Sequence, residues 1–123
     1  MKLYKCNHCG NVAIKVYDMN VPLVCCGEKM SELVPNTVEA AVEKHIPILS
    51  LENNVLSVKV GSVAHPMLSA HYITSIFVVN GTKTKIIMLN PADKPEASFI
   101  VDPSQSIEVY EYCNLHGLWS AKL

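Results

Sequence analysis

Residues 107–112 (Ile-Glu-Val-Tyr-Glu-Tyr) read as a strand, rich in β-branched and aromatic residues. They run directly into Cys113-Asn114-Leu115-His116-Gly117-Leu118-Trp119. A thiol and an imidazole with two residues between them at a strand end have the spacing of metal ligands. Three more histidines, His45, His65 and His71, stand far upstream without an evident structural duty. Reading all five residues as one site means that the fold must carry widely separated segments to a single ion. That demand restricts the chain more than any local propensity.

The segment from Gly61 through His65-Pro66-Met67 to His71 tests the idea. On a straight strand its two histidines would share a face but lie about 20 Å apart. On a helix they would diverge by roughly 120°. Both reach one ion only if the segment is a loop folded back on itself, which Gly61 and Pro66 permit. Taken singly, each histidine fits a packed or surface position as well as a ligand.

A second cluster lies near the N-terminus: Cys6-x2-Cys9, then Cys25-Cys26. Four thiolates so spaced suit tetrahedral iron or zinc. In an extended strand Cys25 and Cys26 would face opposite ways, so the backbone must bend there. Gly10 and Gly27 follow the cysteine pairs and suit tight turns, and His8 reads as solvent-facing. Such a unit is too short to stand on an apolar core, so the metal is expected to hold it together. Five cysteines, an odd count, point to metal rather than disulfides in a reducing compartment.

The remaining signals are for strands. Residues 55–60, 72–80, 83–89, 98–101, 106–112 and 118–121 are β-rich, with Asn80-Gly81 as a hairpin signal and Pro91, Pro95 and Pro103 in connections. Residues 38–45 read either as a short helix ending before Pro47 or as an irregular segment. The pattern predicts an antiparallel β-sandwich behind the cysteine unit. Half the residues are apolar and 17% are charged, enough for a packed core. A net charge of −1 gives no reason to expect nucleic acid. No apolar run spans a membrane and no leader-like segment opens the chain, so a cytoplasmic location is expected.

Cys6-Asn7-His8-Cys9-Gly10 with Cys25-Cys26-Gly27 resembles desulforedoxin. Glu43-Lys44-His45-Ile46-Pro47, His65-Pro66-Met67, His71-Tyr72-Ile73 and Cys113-Asn114-Leu115-His116-Gly117 are similar to desulfoferrodoxin, the two-iron type of superoxide reductase. The resemblance implies a desulforedoxin-like iron domain over 1–36 and an immunoglobulin-like β-sandwich over 37–123. It implies two irons per chain, one held by Cys6, Cys9, Cys25 and Cys26. The other would have His45, His65, His71 and His116 in a plane and Cys113 on the axis. The implied reaction is one-electron reduction of superoxide to hydrogen peroxide, without dismutation to oxygen. Lys44 would steer the anion and assist protonation, although read alone it is an ordinary solvated lysine. Glu43 would ligate the oxidised iron. A rubredoxin-like donor and a homodimer are implied as well. Leu68-Ser69-Ala70 depart from the charged residues expected of relatives at those positions. The alternative reading is a non-haem iron electron carrier of the rubredoxin or desulforedoxin type.

Overall fold

The structure, a computed structural model, describes residues 1–123, which contacts divide into two compact units, Met1–Val34 and Pro35–Leu123. The chain is mainly β, and its only helix is the four-residue α1 (Val42–His45). Functional side chains therefore sit on strand ends and turns.

In the second unit, β6 (Pro47–Glu52), β7 (Val55–Val60) and β10 (Glu96–Ile100) form a sheet in the order β10-β7-β6. A second sheet has the order β12-β11-β8-β9, from β8 (Ile73–Asn80), β9 (Lys83–Met88), β11 (Ile107–Cys113) and β12 (Gly117–Lys122). All pairings are antiparallel. β7 shows why the two sheets share a core. Leu56, Val58 and Val60 are buried on one face, and the intervening Val55, Ser57 and Lys59 point outward. They join Ile73, Ile76, Val78, Phe99, Val109 and Cys113 in one apolar cluster.

Near the end of β11 the register slips, so that Tyr112 faces Ser75 but Cys113 faces Ile73. The extra residue, Thr74, is a bulge in β8. It places fully buried Ile73, rather than a hydroxyl, beside the equally buried Cys113.

The expected hairpin after β8 is present with its turn moved by one residue. Asn80 pairs with Lys83 at the end of the ladder, and Gly81 occupies the first turn position with φ 59°. Asn80 stays in the strand because its side chain is otherwise engaged. Its Nδ2 donates to the Asp102 and Ser106 carbonyls at 3.0 and 3.2 Å, and its Oδ1 accepts from the Asp102 N–H at 2.7 Å. Of the two readings of residues 38–45, the helix holds for Val42–His45 and the irregular segment for the residues before it. Asn36 belongs to this unit. Its N–H donates to the Leu118 carbonyl, and its amide exchanges hydrogen bonds with the Ser120 backbone.

The first unit has a sheet of β1 (Leu3–Lys5), β2 (Val12–Ile14) and β5 (Ser31–Leu33), with β1 central. A separate hairpin joins β3 (Val24–Cys25) to β4 (Glu28–Lys29). Only Leu3 and Cys6 are buried here, so the unit has almost no apolar core.

Replacing Asn80 by Ala removes three hydrogen bonds, those to the Asp102 carbonyl and N–H and to the Ser106 carbonyl. We expect Asn80→Ala to lose about 1–3 kcal/mol of stability in urea titration. An unchanged midpoint would show that this amide does not tie the 102–106 turn to the sheet.

Candidate metal centres

Each histidine of the second unit is aimed by local backbone. His45 ends α1, and its Nδ1–H donates to the Ala41 carbonyl at 2.7 Å. The chain leaving β7 turns back at once, with the His65 N–H on the Val60 carbonyl. The His65 Nδ1–H donates to the Pro66 carbonyl at 2.6 Å. Leu68 and His71 exchange backbone hydrogen bonds, so the segment folds back as its spacing demands. His116 lies in the turn between β11 and β12.

A carbonyl only accepts, so Nδ1 of His45 and of His65 carries the proton and each Nε2 presents a lone pair. These two Nε2 atoms lie 3.1 Å apart. His116 Nδ1 is 3.2 Å from His45 Nε2, and buried His71 Nε2 has no hydrogen-bond partner. Lone pairs aimed at one another across that gap repel unless a proton or a cation lies between them. Burial lowers the pKa of His45, His65 and His71, that of His65 to about 4, so neutral rings are favoured. A metal ion resolves the arrangement, because neutral imidazole is the ligating form.

The rings also have the geometry for one. Neighbouring centroids are 4.7, 4.7, 4.9 and 4.9 Å apart around the cycle His45–His65–His71–His116. The His45–His71 diagonal is 6.5 Å, close to the √2 ratio of a flat square. Nitrogens bound at about 2.1 Å and at right angles would be about 3.0 Å apart, which matches the observed contacts. The fifth donor is the fully buried Cys113, whose Sγ is 3.9 Å from His116 Nδ1. All five donor atoms fall within 4.8 Å of one another. Burial pushes the Cys113 thiol up, while the backbone N–H groups of His116 and Leu115 pull it down. The His116 N–H reaches the sulfur at 3.4 Å.

In the first unit, Cys6, Cys9, Cys25 and Cys26 likewise converge within 4.8 Å. Cys9 and Cys25 sulfurs are 3.6 Å apart, and those of Cys25 and Cys26 are 4.0 Å apart. Four sulfurs bound tetrahedrally at about 2.3 Å would be about 3.8 Å apart. The adjacent pair reaches one point because Cys26 and Gly27 both have positive φ, 53° and 75°. They are the two central residues of the hairpin between β3 and β4, as in a type I′ turn. Without a cation these thiols cannot all ionise. Backbone N–H groups of Cys9 and His8 draw Cys6 down to about 6, while hydrogen bonding to Cys9 and Cys6 pushes Cys26 up to about 12. His8 is exposed and outside the cluster, as read from the sequence.

Both sites use one turn. Cys9 N–H meets Cys6 Sγ at 3.4 Å and a left-handed Gly10 follows. His116 N–H meets Cys113 Sγ at 3.4 Å and a left-handed Gly117 follows.

Glu43 and Lys44 stand on α1 just before His45, Glu43 exposed and Lys44 partly so. Beyond the larger effect of burial, the Lys44 charge lowers the pKa of His71. The Glu43 charge raises that of His45, against a larger lowering by burial. Three further residues shape the site: Trp119, which the sequence suggests as packing around it, Asn114, and Gly61, which it suggests as permitting the ligand loop to turn back. Trp119 stacks on His45 at 4.8 Å and 23°, and its indole N–H donates to the His116 carbonyl. Asn114 bonds to the backbone on both sides of His71. Gly61 lies under the Glu43–Lys44 peptide. A Cβ there would fall 2.4 Å from the Glu43 carbonyl oxygen and 2.8 Å from the Lys44 carbonyl carbon. The sequence marks Gly61 as permitting the loop to turn back, and its close approach to the 43–44 backbone is an additional role.

Comparison with known proteins agrees with this geometry. The family model described as desulfoferrodoxin matches residues 37–122. The desulfoferrodoxin of Syntrophotalea carbinolica is 47% identical, over 99% of this chain and 96% of that protein. The desulfoferrodoxin homolog of Archaeoglobus fulgidus is 42% identical, over 98% of this chain and 96% of its own. Among solved structures, the superoxide reductase from Treponema pallidum superposes with a TM-score of 0.78 at 33% identity, covering 98% of both chains. The chain belongs to the desulfoferrodoxin family.

Gly61→Ala forces the Glu43–Lys44 peptide away from the 60–61 backbone. We expect a loss of about 1–3 kcal/mol in urea titration, with amide shifts concentrated at residues 43 and 44. A midpoint and spectrum equal to the parent's would contradict the close approach.

Proposed function

We propose that this chain is a superoxide reductase, in which superoxide, one electron and two protons give hydrogen peroxide. The observation that carries the reading is the square of four inward-facing imidazole nitrogens beside a buried thiol. Iron bound by His45, His65, His71, His116 and Cys113 would supply the electron, with one coordination position left for a small anion. Iron suits the set because imidazole and thiolate together favour it over the hard divalent cations. A second iron in the Cys6, Cys9, Cys25 and Cys26 cluster completes the proposed complement of two. The family relationship supports a desulforedoxin-like first domain and an immunoglobulin-like sandwich for the second.

The chain's own residues set the electrostatics. Four neutral rings and one thiolate bring a single negative charge, so a divalent ion leaves the centre at about +1, which attracts superoxide. Lys44, whose charge is felt at His71, adds to that attraction and orders a water that can deliver a proton. Glu43 carries a hard oxygen donor suited to the oxidised ion and poorly competitive at the reduced one. Trp119, stacked behind His45, closes the core side of the site to water. Tyr110 and Tyr112 are buried in β11 and serve as packing.

Electrons would come from a rubredoxin-like donor. The exposed Cys9 and Cys26 make the four-cysteine cluster accessible for that exchange. We place the protein in the cytoplasm as a homodimer. Val16, Tyr17, Met19 and Val21 are exposed on a first unit with almost no core, an apolar surface that a second copy would cover. No helix is long and apolar enough to cross a membrane.

Metal analysis with visible spectroscopy, followed by a superoxide pulse on the reduced protein, tests the function. The reading expects two irons per chain, a red four-thiolate spectrum, and a ferric thiolate band that appears on the pulse and depends on a reductant for turnover. Metal at the cysteines alone, with no reaction, would leave an electron carrier. For Lys44→Ala we expect the bimolecular rate constant to fall about tenfold and to depend less on salt. An unchanged rate constant in pulse radiolysis would remove Lys44 from the mechanism.

A further inference from the structure

The four histidines are not held alike. His45 and His65 are locked by hydrogen bonds from their own Nδ1–H groups to the Ala41 and Pro66 carbonyls. His116 is tied by its backbone N–H to the Cys113 sulfur, and Trp119 holds its carbonyl. No hydrogen bond holds the His71 ring, and its inward Nε2 is buried without a partner. Its direction is therefore inherited from the backbone on either side of it.

That backbone is fastened by one residue from a distant part of the chain. Asn114 Oδ1 accepts from the Tyr72 N–H at 2.9 Å, and Asn114 Nδ2 donates to the Ala70 carbonyl at 3.0 Å. The Asn114 N–H also donates to the Tyr72 carbonyl at 3.2 Å. The residue before His71 and the residue after it are thus both bonded to position 114, which lies between Cys113 and His116 in sequence. The job needs an acceptor and a donor on one short planar group. Asparagine offers both; aspartate keeps the acceptor and puts a second acceptor against the Ala70 carbonyl.

We propose that Asn114 is the positioning residue for His71, coupling the turn that carries the thiolate and one imidazole to the loop that carries another. This rests on the reading of the five residues as an iron site. Outer partners of ligands commonly contribute 10- to 100-fold, at about that scale, to metal affinity. Here the partner acts on the backbone around the ligand instead of on its ring.

The test uses the full chain with both sites loaded with iron, reduced, and mixed with a ferrous chelator. The iron of the four-cysteine cluster, followed by the red colour that returns when timed samples are reoxidised, is an internal control. We expect Asn114→Ala to release iron from the histidine site about 10- to 100-fold faster than the parent, with cluster release unchanged. Asn114→Asp, which is isosteric and keeps the Tyr72 contact, is expected to fall between the two. If Asn114→Ala does not fold, Asn114→Asp alone must show the selective loss. Release at the parent's rate from both variants overturns the proposal. So does equal acceleration at both sites, which marks a general loss of stability. A parent chain that takes up no iron at the histidines overturns the site reading as well.

Discussion

Two imidazole Nε2 atoms, each with its proton fixed on the far nitrogen by a backbone carbonyl, face one another at 3.1 Å. Neither can donate to the other. A third nitrogen stands 3.2 Å from one of them, and a fourth is buried beside them without a partner. Burial also disfavours the protonated rings that could relieve the crowding. The fold therefore builds in a repulsion that a central cation converts into attraction. The loops around the site are consistent with that demand.

The two sheets of the second unit supply rigidity where the ligands leave them. Cys113 ends a strand paired on both sides, and the bulge at Thr74 turns Ile73 rather than a hydroxyl towards it. His65 lies one four-residue turn past β7 and is tied to its last residue, Val60. Gly61 lets the Glu43–Lys44 peptide rest against the same backbone, and the Val63 N–H and Ser62 hydroxyl hold the Glu43 carbonyl. One short segment thus aims a histidine and supports the helix that carries His45. The first unit follows a different rule: it has two buried side chains, and a metal held by its four cysteines would supply the cohesion that a core does not.

Much of this was legible in the residues. The strand signals at 55–60, 72–80 and 106–112 fall within a residue of the observed strands. β7 alternates because it buries one face, whereas β8 and β11 are buried on both faces and are marked by β-branched and aromatic residues instead. The need for residues 65–71 to fold back followed from distance alone. The five donors that the family resemblance joined are those that converge. What could not be read depended on contacts between distant segments. Nothing local marks Asn114 as reaching Ala70 and Tyr72, or Trp119 as lying on His45. The vicinal cysteines announced a bend, but its form came from placing Cys26 itself at a left-handed position, which asparagine or glycine usually takes. Asn80 failed as a turn residue for a similar reason, since its amide had partners at Asp102 and Ser106 that the local sequence does not show.

The central claim is that the convergent nitrogens and the thiol enclose one iron. Crystals of the iron-loaded protein, measured at the iron absorption edge, address it directly. The account predicts an anomalous peak equidistant from Nε2 of His45, His65 and His71 and Nδ1 of His116, at about 2.1 Å, with Cys113 Sγ at about 2.3 Å. Anomalous density confined to Cys6, Cys9, Cys25 and Cys26, with protons or water separating the histidine nitrogens, would contradict it.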